Sequence, residues 1–448
     1  MKAGALAVFY QTGNGIMTEQ EIKELAASYG CVAVGSSDTR NAVAYLCRNF
    51  YGKPDESLDI YGVTGTKGKT TVTFMLRNIF RCAGSRSGLI GTVCNYLGDK
   101  RIDTPFTTPE ARENYEFMKA MKEKGLTDLI MEVSSLGLKY DRVAGMRFKT
   151  GCFTNLYEDH IADDEHPDMN DYLSSKLMLW DRCDNAVINA DTAEYERVAG
   201  AAKGKCNIVT YSIDKGADVT CSDITSVKTG LVSGMSFHLK SPWYDGQFSI
   251  PLPGVFNVGN ALCSIAVSGL AGIPEEAVRE GLKTVFVPGR MQPVPNSLGI
   301  NIIVDYAHNA AGLENVLSAI NGIKKGKVIT VFGCGGNRSV TRRYEMGEVS
   351  GRMSDYTVIT SDNPRNEEPE DIIAYIVEGM NRTSGSYEVV VDRTEAIRRA
   401  ISMAKADDYV LIAGKGHEDY QEFKDKMRIH FDDFEVASDI VRETEAGR

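Results

Sequence analysis

Leu58-Asp-Ile-Tyr-Gly-Val-Thr-Gly-Thr-Lys-Gly-Lys-Thr-Thr71 decides how the rest of the chain is read. Residues 58–63 are apolar with a β-branched bias, which predicts a short buried strand. A glycine-rich turn follows. Residues 69–81 then carry Val72, Met75, Leu76 and Ile79 at helical spacing. Strand, glycine turn and helix aim backbone N–H groups and the positive end of a helix dipole at phosphates. Gly65, Thr66, Lys67, Gly68, Lys69, Thr70 and Thr71 are therefore candidate nucleotide-binding residues. Lys69 is placed to reach β- and γ-phosphates and the Thr70 hydroxyl to sit on Mg²⁺. The spacing departs from the general P-loop, because Val63 and not glycine stands five residues before Gly68. A glycine turn that binds nothing is the plainer alternative, and the unbroken run of glycine, threonine and lysine over 64–71 argues against it.

Working outward, 448 residues predict two or three domains with sizeable cores. Hydrophobic content of 43% and charged content of 25% describe an ordinary globular chain. A formal net charge of −11 argues against nucleic acid or an anionic membrane as partner, so phosphate must be held by local amides and a few cations. The ten cysteines form no Cys-x-x-Cys pair, which fits a reducing compartment. No stretch approaches the ~20 apolar residues of a membrane helix, and the apolar run 3–10 is short for a secretory signal. The expectation is a cytoplasmic monomer acting on small molecules.

The pattern of elements predicts an α/β fold. Residues 1–57 form a small N-terminal segment with helices over 19–29, where Thr18 and Glu21 make a capping box, and over 41–51. Strands alternate with helices over 58–288: 128–133, 150–154, 185–189 and 208–211 are candidate strands of a largely parallel sheet. Residues 218–250 alternate as an antiparallel excursion, and a helix is expected over 261–271. Pro288-Gly289-Arg290 reads as a hinge. Beyond it, candidate strands 300–305, 328–333, 356–361, 389–392 and 409–414, separated by helices, predict a Rossmann-like domain over 289–448.

Polar residues at strand ends are candidate ligands in such sheets. Glu132 lies inside the apolar strand 128–133, where a carboxylate needs a metal or a cation such as Lys69. Asn155, Asp159 and His160 follow the next strand together. Lys176, sixteen residues after His160, sits on the apolar side of a helix continuing Leu177-Met-Leu-Trp180. It snorkels or pairs with a carboxylate, or its desolvated amine loses its proton more readily and takes up CO₂ as a carbamate that ligates metal. Spacing alone leaves these readings open.

In chain order, Gly65-Thr-Lys-Gly-Lys-Thr-Thr71, Met131-Glu-Val-Ser-Ser135, Thr154-Asn-Leu-x-x-Asp-His160, the Tyr172/Lys176 pair, Phe256-Asn-Val-x-Asn260, Val304-Asp-Tyr-Ala-His308 and Phe332-Gly-Cys-Gly-Gly336 resemble the Mur ligases. Asp362-Asn-Pro-Arg365 and Gly414-Lys-Gly-His-Glu-Asp-Tyr-Gln421 resemble the branch that adds the third residue of the peptidoglycan stem. The resemblance runs from about residue 58 to the end.

It implies a central ATPase domain of mostly parallel sheet, followed by the Rossmann-like ligase domain. It implies an ATP-dependent ligase that phosphorylates an acceptor carboxylate and lets an amino acid amine displace the phosphate. Two Mg²⁺ ions are implied, one on Thr70 and Glu132 and one on His160 and carbamylated Lys176. ATP would also meet Asn257, Asn260, Arg290, Asp305 and His308. Thr107, Thr108, Ser134 and Arg142 match acceptor-side positions. Arg343, Asp362, Asn363, Arg365, Gly414 and Glu418 match positions that hold the incoming amino acid, meso-diaminopimelate in that branch. Asn363-Pro364 also reads simply as a strand end before a helix.

The sequence departs from the family at several points. Residues 1–57 are few for the family's uridine-nucleotide domain, Leu136 replaces a histidine, Lys67 replaces an asparagine, and His160-Ile-Ala-Asp-Asp-Glu-His-Pro167 is longer and more acidic than the usual segment. These departures lead to the expectation of an acceptor held differently, or of a smaller one without a uridine diphosphate; a catalytically dead nucleotide-binding regulator is the alternative from another class.

Overall fold

The computed structural model describes residues 5–13, 15–158, 161, 165–229 and 232–447. Asp159, His160 and Asp163, singled out from the sequence, lie outside the described residues. The chain divides into two compact units, Met1–Lys69 with Gly84–Thr210, and Thr70–Ala83 with Tyr211–Arg448.

In the first unit the strand Asp59–Thr64 is central. It pairs in parallel with Phe148–Phe153 on one side and with Asp128–Glu132 on the other. Cys183–Asn189 extends the sheet beyond Phe148–Phe153 and Ser87–Ile90 beyond Asp128–Glu132, both in parallel. Two short antiparallel strands, Asn95–Leu97 and Lys100–Ile102, finish that edge. The central strands are buried on both faces, as parallel strands with crossover helices must be. Their apolar side chains share one core that includes Ile60, Met131, Phe148, Phe153, Leu173 and Trp180.

The N-terminal segment holds more than its two helices. Ala7–Gln11 and Val32–Ser36 are strands that pair in parallel, alternating with the helices Glu19–Ser28 and Thr39–Phe50. Exposure hid them: Phe9, Val32 and Val34 face outward, so no buried face produces a clean alternation. The expected capping box is present, with the Glu21 amide donating to Thr18 Oγ1 at 3.3 Å and the Thr18 amide to Glu21 Oε2 at 2.7 Å. Ala44 of the second helix packs on Ala111 and Ala144, seating the segment on its unit.

In the second unit, Val219–Thr229, Val232–Lys240 and Asp245–Ile250 form the antiparallel excursion. The next helix spans Val255–Leu270, starting six residues before the expected 261. The polar residues Asn257 and Asn260 break its apolar pattern without breaking the helix. A six-stranded sheet follows in the order Gln292–Val294, Asn301–Asp305, Tyr409–Ala413, Val328–Phe332, Tyr356–Ile359, Tyr387–Val389. All but the first strand run parallel. The last strand sits earlier than the expected 389–392, because Asp392 leaves the strand pattern to cap the helix Arg393–Met403, accepting from the Glu395 amide at 2.9 Å. Two cores sandwich this sheet, one around Phe332, Met346 and Ile376, the other around Val410, Ile397 and Ile440. No helix among the described residues is long and apolar enough to cross a membrane.

Candidate functional site

The glycine turn of the first unit leaves the central strand at Thr64 and enters the helix Lys69–Cys82. Gly65 has φ 142° and Gly68 φ 87°. A Cβ on Gly65 would run into Thr154 Oγ1 and the Asn155 backbone, so only glycine brings the turn this close to the neighbouring strand end. Backbone and side-chain groups of that strand end then hold the turn in place. The Lys67 amide donates to Asn155 Oδ1 at 2.8 Å, the Thr66 amide to the Asn155 carbonyl at 3.0 Å, and Thr154 Oγ1 to the Lys67 carbonyl at 2.6 Å.

Two lysines converge on this turn. Lys69 Nζ donates to the Gly65 carbonyl at 2.8 Å and to the Thr66 carbonyl at 3.0 Å, and Lys176 Nζ donates to the same Gly65 carbonyl at 3.0 Å. Lys176 does not snorkel: it is 1% exposed, on the helix Met169–Leu177, with its amine 4.3 Å from the centroid of the Tyr172 ring. Tyr172 Oη donates to Thr66 Oγ1 at 3.2 Å, a second tie between helix and turn. Thr70 and Thr71 are buried in the helix's first turn.

Glu132 is fully buried at the end of its strand. Its carboxylate accepts from the Thr92 amide and the Thr92 hydroxyl, both at 2.9 Å. Thr92 Oγ1 lies 3.0 Å from Thr107 Oγ1. Thr108 Oγ1 donates to the Glu132 carbonyl and accepts from the Ser134 amide, each at 2.9 Å. Arg142 donates to the Thr108 carbonyl at 3.1 Å and pairs with Glu110 at 2.9 Å. Thr107, Thr108, Ser134, Arg142 and Glu132 therefore form one neighbourhood. Among the described residues, no three His, Cys, Asp or Glu side chains stand close enough to hold a metal by themselves.

Sequence reasoning passed over three residues beside this neighbourhood. His166 is fully buried, with Nε2 2.9 Å from Ser135 Oγ and Nδ1 2.5 Å from Asp171 Oδ2. Lys139 also donates to Asp171 at 2.7 Å, and the two hydrogen bonds, that of Lys139 first, hold the Asp171 carboxyl below its ordinary range. Within 160–167 only the length and the acidity were read. The legible signal was Asp168, which caps the helix by accepting from the Asp171 amide at 2.8 Å and so sets His166 two residues before the cap.

In the second unit, Asn257 and Asn260 are buried on the first turns of their helix, and Asn260 Nδ2 donates to Asn257 Oδ1 at 3.1 Å. Arg290, Asp305 and His308 come together around Tyr306. The Arg290 guanidinium lies 4.5 Å from the Tyr306 ring centroid, and the His308 and His417 rings lie 4.5 and 4.8 Å from it. Burial pushes the Tyr306 hydroxyl up to about 12. Asp305 accepts from the amides of Met291 at 2.7 Å and Ala307 at 2.8 Å.

Asp362, Asn363, Arg365, Gly414 and Glu418 meet at the carboxyl ends of their strands, where open α/β sheets bind ligands. Asn363 Nδ2 donates to Glu418 Oε2 at 2.8 Å. Arg365 takes a left-handed backbone conformation, φ 54°, and pairs with Glu422 at 3.3 Å while donating to the Gly336 carbonyl at 2.8 Å. A non-glycine residue in that region costs roughly 1–3 kcal/mol, which is tolerated here because Glu422 and Gly336 hold both ends. Burial first, then Asp362, raises the Glu418 carboxyl above its ordinary range, against Lys415 and Asn363. Arg343 is 1% exposed and bidentate to Glu367, both bonds at 2.8 Å.

Residues 63–268 match the Mur ligase middle domain and residues 289–416 the Mur ligase, glutamate ligase domain. The UDP-N-acetylmuramoyl-L-alanyl-D-glutamate–2,6-diaminopimelate ligase of Clostridium botulinum is 41% identical over 431 residues, 96% of this chain and 87% of that protein. The protein of the same description from Clostridioides difficile is 42% identical over 423 residues, 94% of this chain and 86% of that one. A solved structure of a UDP-N-acetylmuramoyl-L-alanyl-D-glutamate–2,6-diaminopimelate ligase superposes with a TM-score of 0.72 at 28% identity, covering 98% of this chain and 92% of the other.

Proposed function

This chain belongs to the Mur ligase family of ATP-dependent amide-forming ligases, and from that premise we propose that it joins meso-diaminopimelate to the free carboxylate of UDP-N-acetylmuramoyl-L-alanyl-D-glutamate in the cytoplasm. The observation that carries the reading is the convergence of Lys69 and Lys176 on the Gly65 carbonyl, at 2.8 and 3.0 Å. The Lys69 ammonium and the amino end of the helix concentrate positive charge where a triphosphate would lie, with Lys176 beside them as the group that takes up CO₂. In a chain of net charge −11, that concentration is local and specific.

In this reading 58–288 is the ATP domain and 289–448 the ligase domain. Gly65–Thr71 cradle the phosphates, Asn257 and Asn260 face the adenine, and Arg290, Asp305 and His308 meet ribose and phosphate. Glu132 and Thr70 suit one Mg²⁺, since a fully buried carboxylate at a strand end suits a hard cation. His160 and Lys176, as a carbamate, would serve a second. The ions neutralise charge between phosphoryl group and carboxylate when bound.

Lys69 steadies the γ-phosphoryl group as it passes from ATP, with ADP leaving, to the acceptor carboxylate, which Thr107, Thr108, Ser134 and Arg142 orient. The amine of the amino acid attacks the acyl phosphate, the amide bond forms, and phosphate leaves. Asp362, Asn363, Arg365, Gly414 and Glu418 hold the far end of the amino acid: Arg365 takes a carboxylate, as guanidinium geometry favours, and Glu418 takes an ammonium. Arg343, paired with Glu367, joins them in holding the amino acid.

ADP release tests the reading, measured with UDP-N-acetylmuramoyl-L-alanyl-D-glutamate and with free L-alanyl-D-glutamate, each against a panel of amino acids. Turnover is expected with the nucleotide-linked acceptor and meso-diaminopimelate. Equal turnover with the free dipeptide would transfer the protein to a smaller acceptor, and ATP binding without acceptor-dependent ADP release would remove the enzyme reading.

A further inference from the structure

Lys415 has no role in the site as described so far, yet it is one of the most completely enclosed charges in the molecule, with no exposed surface. Its flanking residues fix it. Gly414 has φ 119° and Gly416 φ 56°; a Cβ on the first would stand 2.6 Å from Asp362 Oδ2, and one on the second 2.6 Å from Tyr306 Cβ. The backbone can therefore turn the Lys415 side chain inward only with glycine on both sides.

At its tip, Lys415 Nζ donates to Asn363 Oδ1 at 3.1 Å and lies 3.4 Å from Glu418 Oε2. Asn363 Oδ1 also accepts from the Glu422 amide at 2.9 Å, and Asn363 Nδ2 donates to Glu418 Oε2 at 2.8 Å. Two donors on one oxygen leave the Asn363 amide a single orientation, with its NH₂ on Glu418. Glu418 Oε2 is thus held from two directions, while Oε1 accepts no hydrogen bond among the described residues. Neighbouring cations are answered elsewhere: Arg393 by Asp433 and Arg365 by Glu422. Asp362 adds its charge to that of Glu418, and Lys415 is the one cation paired with Glu418 among the described residues.

We propose that Lys415 is a specificity-determining, positioning residue: with Asn363 it holds Glu418 so that Oε1 is offered to the second ammonium of a diamino acid. The inference rests on reading this pocket as the amino acid site. Removing Lys415 frees the Glu418 carboxylate to turn, and leaves two buried carboxylates that take up a proton in place of a ligand's ammonium. Burial and Asp362 already raise Glu418, and Lys415 is the opposing charge.

The test compares kcat/KM for meso-diaminopimelate with that for 2-aminopimelate, which keeps the chain and distal carboxylate and lacks the second ammonium. Wild type is expected to prefer the diamino acid. Lys415→Met and Lys415→Gln should each reduce that preference at least tenfold while KM for ATP stays within twofold. A merely structural lysine would weaken both amino acids alike and leave the ratio unchanged, which would overturn the proposal. Should Lys415→Met fail to fold, Lys415→Gln carries the test, because its amide still donates to Asn363 but has no charge. A wild type that uses neither amino acid, or both equally, would overturn the proposal together with the reading of the pocket; a preference kept in both variants would overturn the proposal alone.

Discussion

Arg393→Met should loosen the proposed amino acid pocket from beneath. Arg393 and Asp433 are both without exposed surface, and the guanidinium donates to the two carboxylate oxygens at 2.8 Å each. The same guanidinium donates to the Ser361 carbonyl at 3.2 Å and the Ala413 carbonyl at 2.9 Å. Those carbonyls immediately precede Asp362 and Gly414, so one side chain clamps the two strand ends that build the pocket. Deleting one partner of a buried pair costs about 3–5 kcal/mol, because the other charge is stranded. Two carbonyls that lose a donor add about 1 kcal/mol each.

A loss of roughly 5–7 kcal/mol is a large part of the ~5–15 kcal/mol that holds a domain together. Urea unfolding would measure the loss, and hydrogen exchange over Tyr409–Ala413 would locate it. Arg393→Met/Asp433→Leu removes the stranded charge and should recover most of the loss, leaving about 1–3 kcal/mol for the orphaned carbonyls. In both variants KM for the amino acid should rise while KM for ATP holds. A single variant that loses less than about 1 kcal/mol, or a double variant no better than the single, would refute the reasoning.

Thr92→Val keeps the amide bond to Glu132 and removes the hydroxyl one, a charge-assisted bond of about 1.5–3 kcal/mol; the Mg²⁺ concentration for half-maximal turnover should rise about tenfold, and an unchanged Mg²⁺ titration would count against Glu132 as a ligand. Lys176→Ala should be inactive and partly restored by acetate, which can occupy the place of a carbamate; full activity without acetate would exclude the role. Glu418 has its carboxyl raised by burial and Asp362, and an ammonium binds only the ionised form. KM for meso-diaminopimelate should therefore rise as pH falls through that raised value, and Glu418→Gln should remove this dependence along with most of the affinity. A wild-type profile flat through mildly acidic pH would contradict the assignment.

Much of the architecture was written locally. The strand before Gly65 and the helix after Lys69 carry their own periods, and so do the sheet strands at 128, 150, 328 and 409. Burial on both faces makes parallel strands continuous apolar runs. Where exposure or an overlapping local signal blurred the period, the reading failed: the outward-facing strands Ala7–Gln11 and Val32–Ser36 were missed, the helix Val255–Leu270 was started late at its buried asparagines, and the strand before Asp392 was misplaced by a helix cap.

The sequence by itself determined the glycine turn, the alternation of strand and helix, and the polar residues at strand ends, because each is specified by neighbours within a few positions. The tertiary structure alone decided what those residues touch. Glu132 meets Thr92 across 40 positions, Lys176 meets Gly65 across 111, and Asn363 meets Lys415 across 52. No local period encodes such pairings. A buried lysine and a solvated one can occupy the same pattern in a sequence, and only the fold sets whether water or another side chain answers the charge.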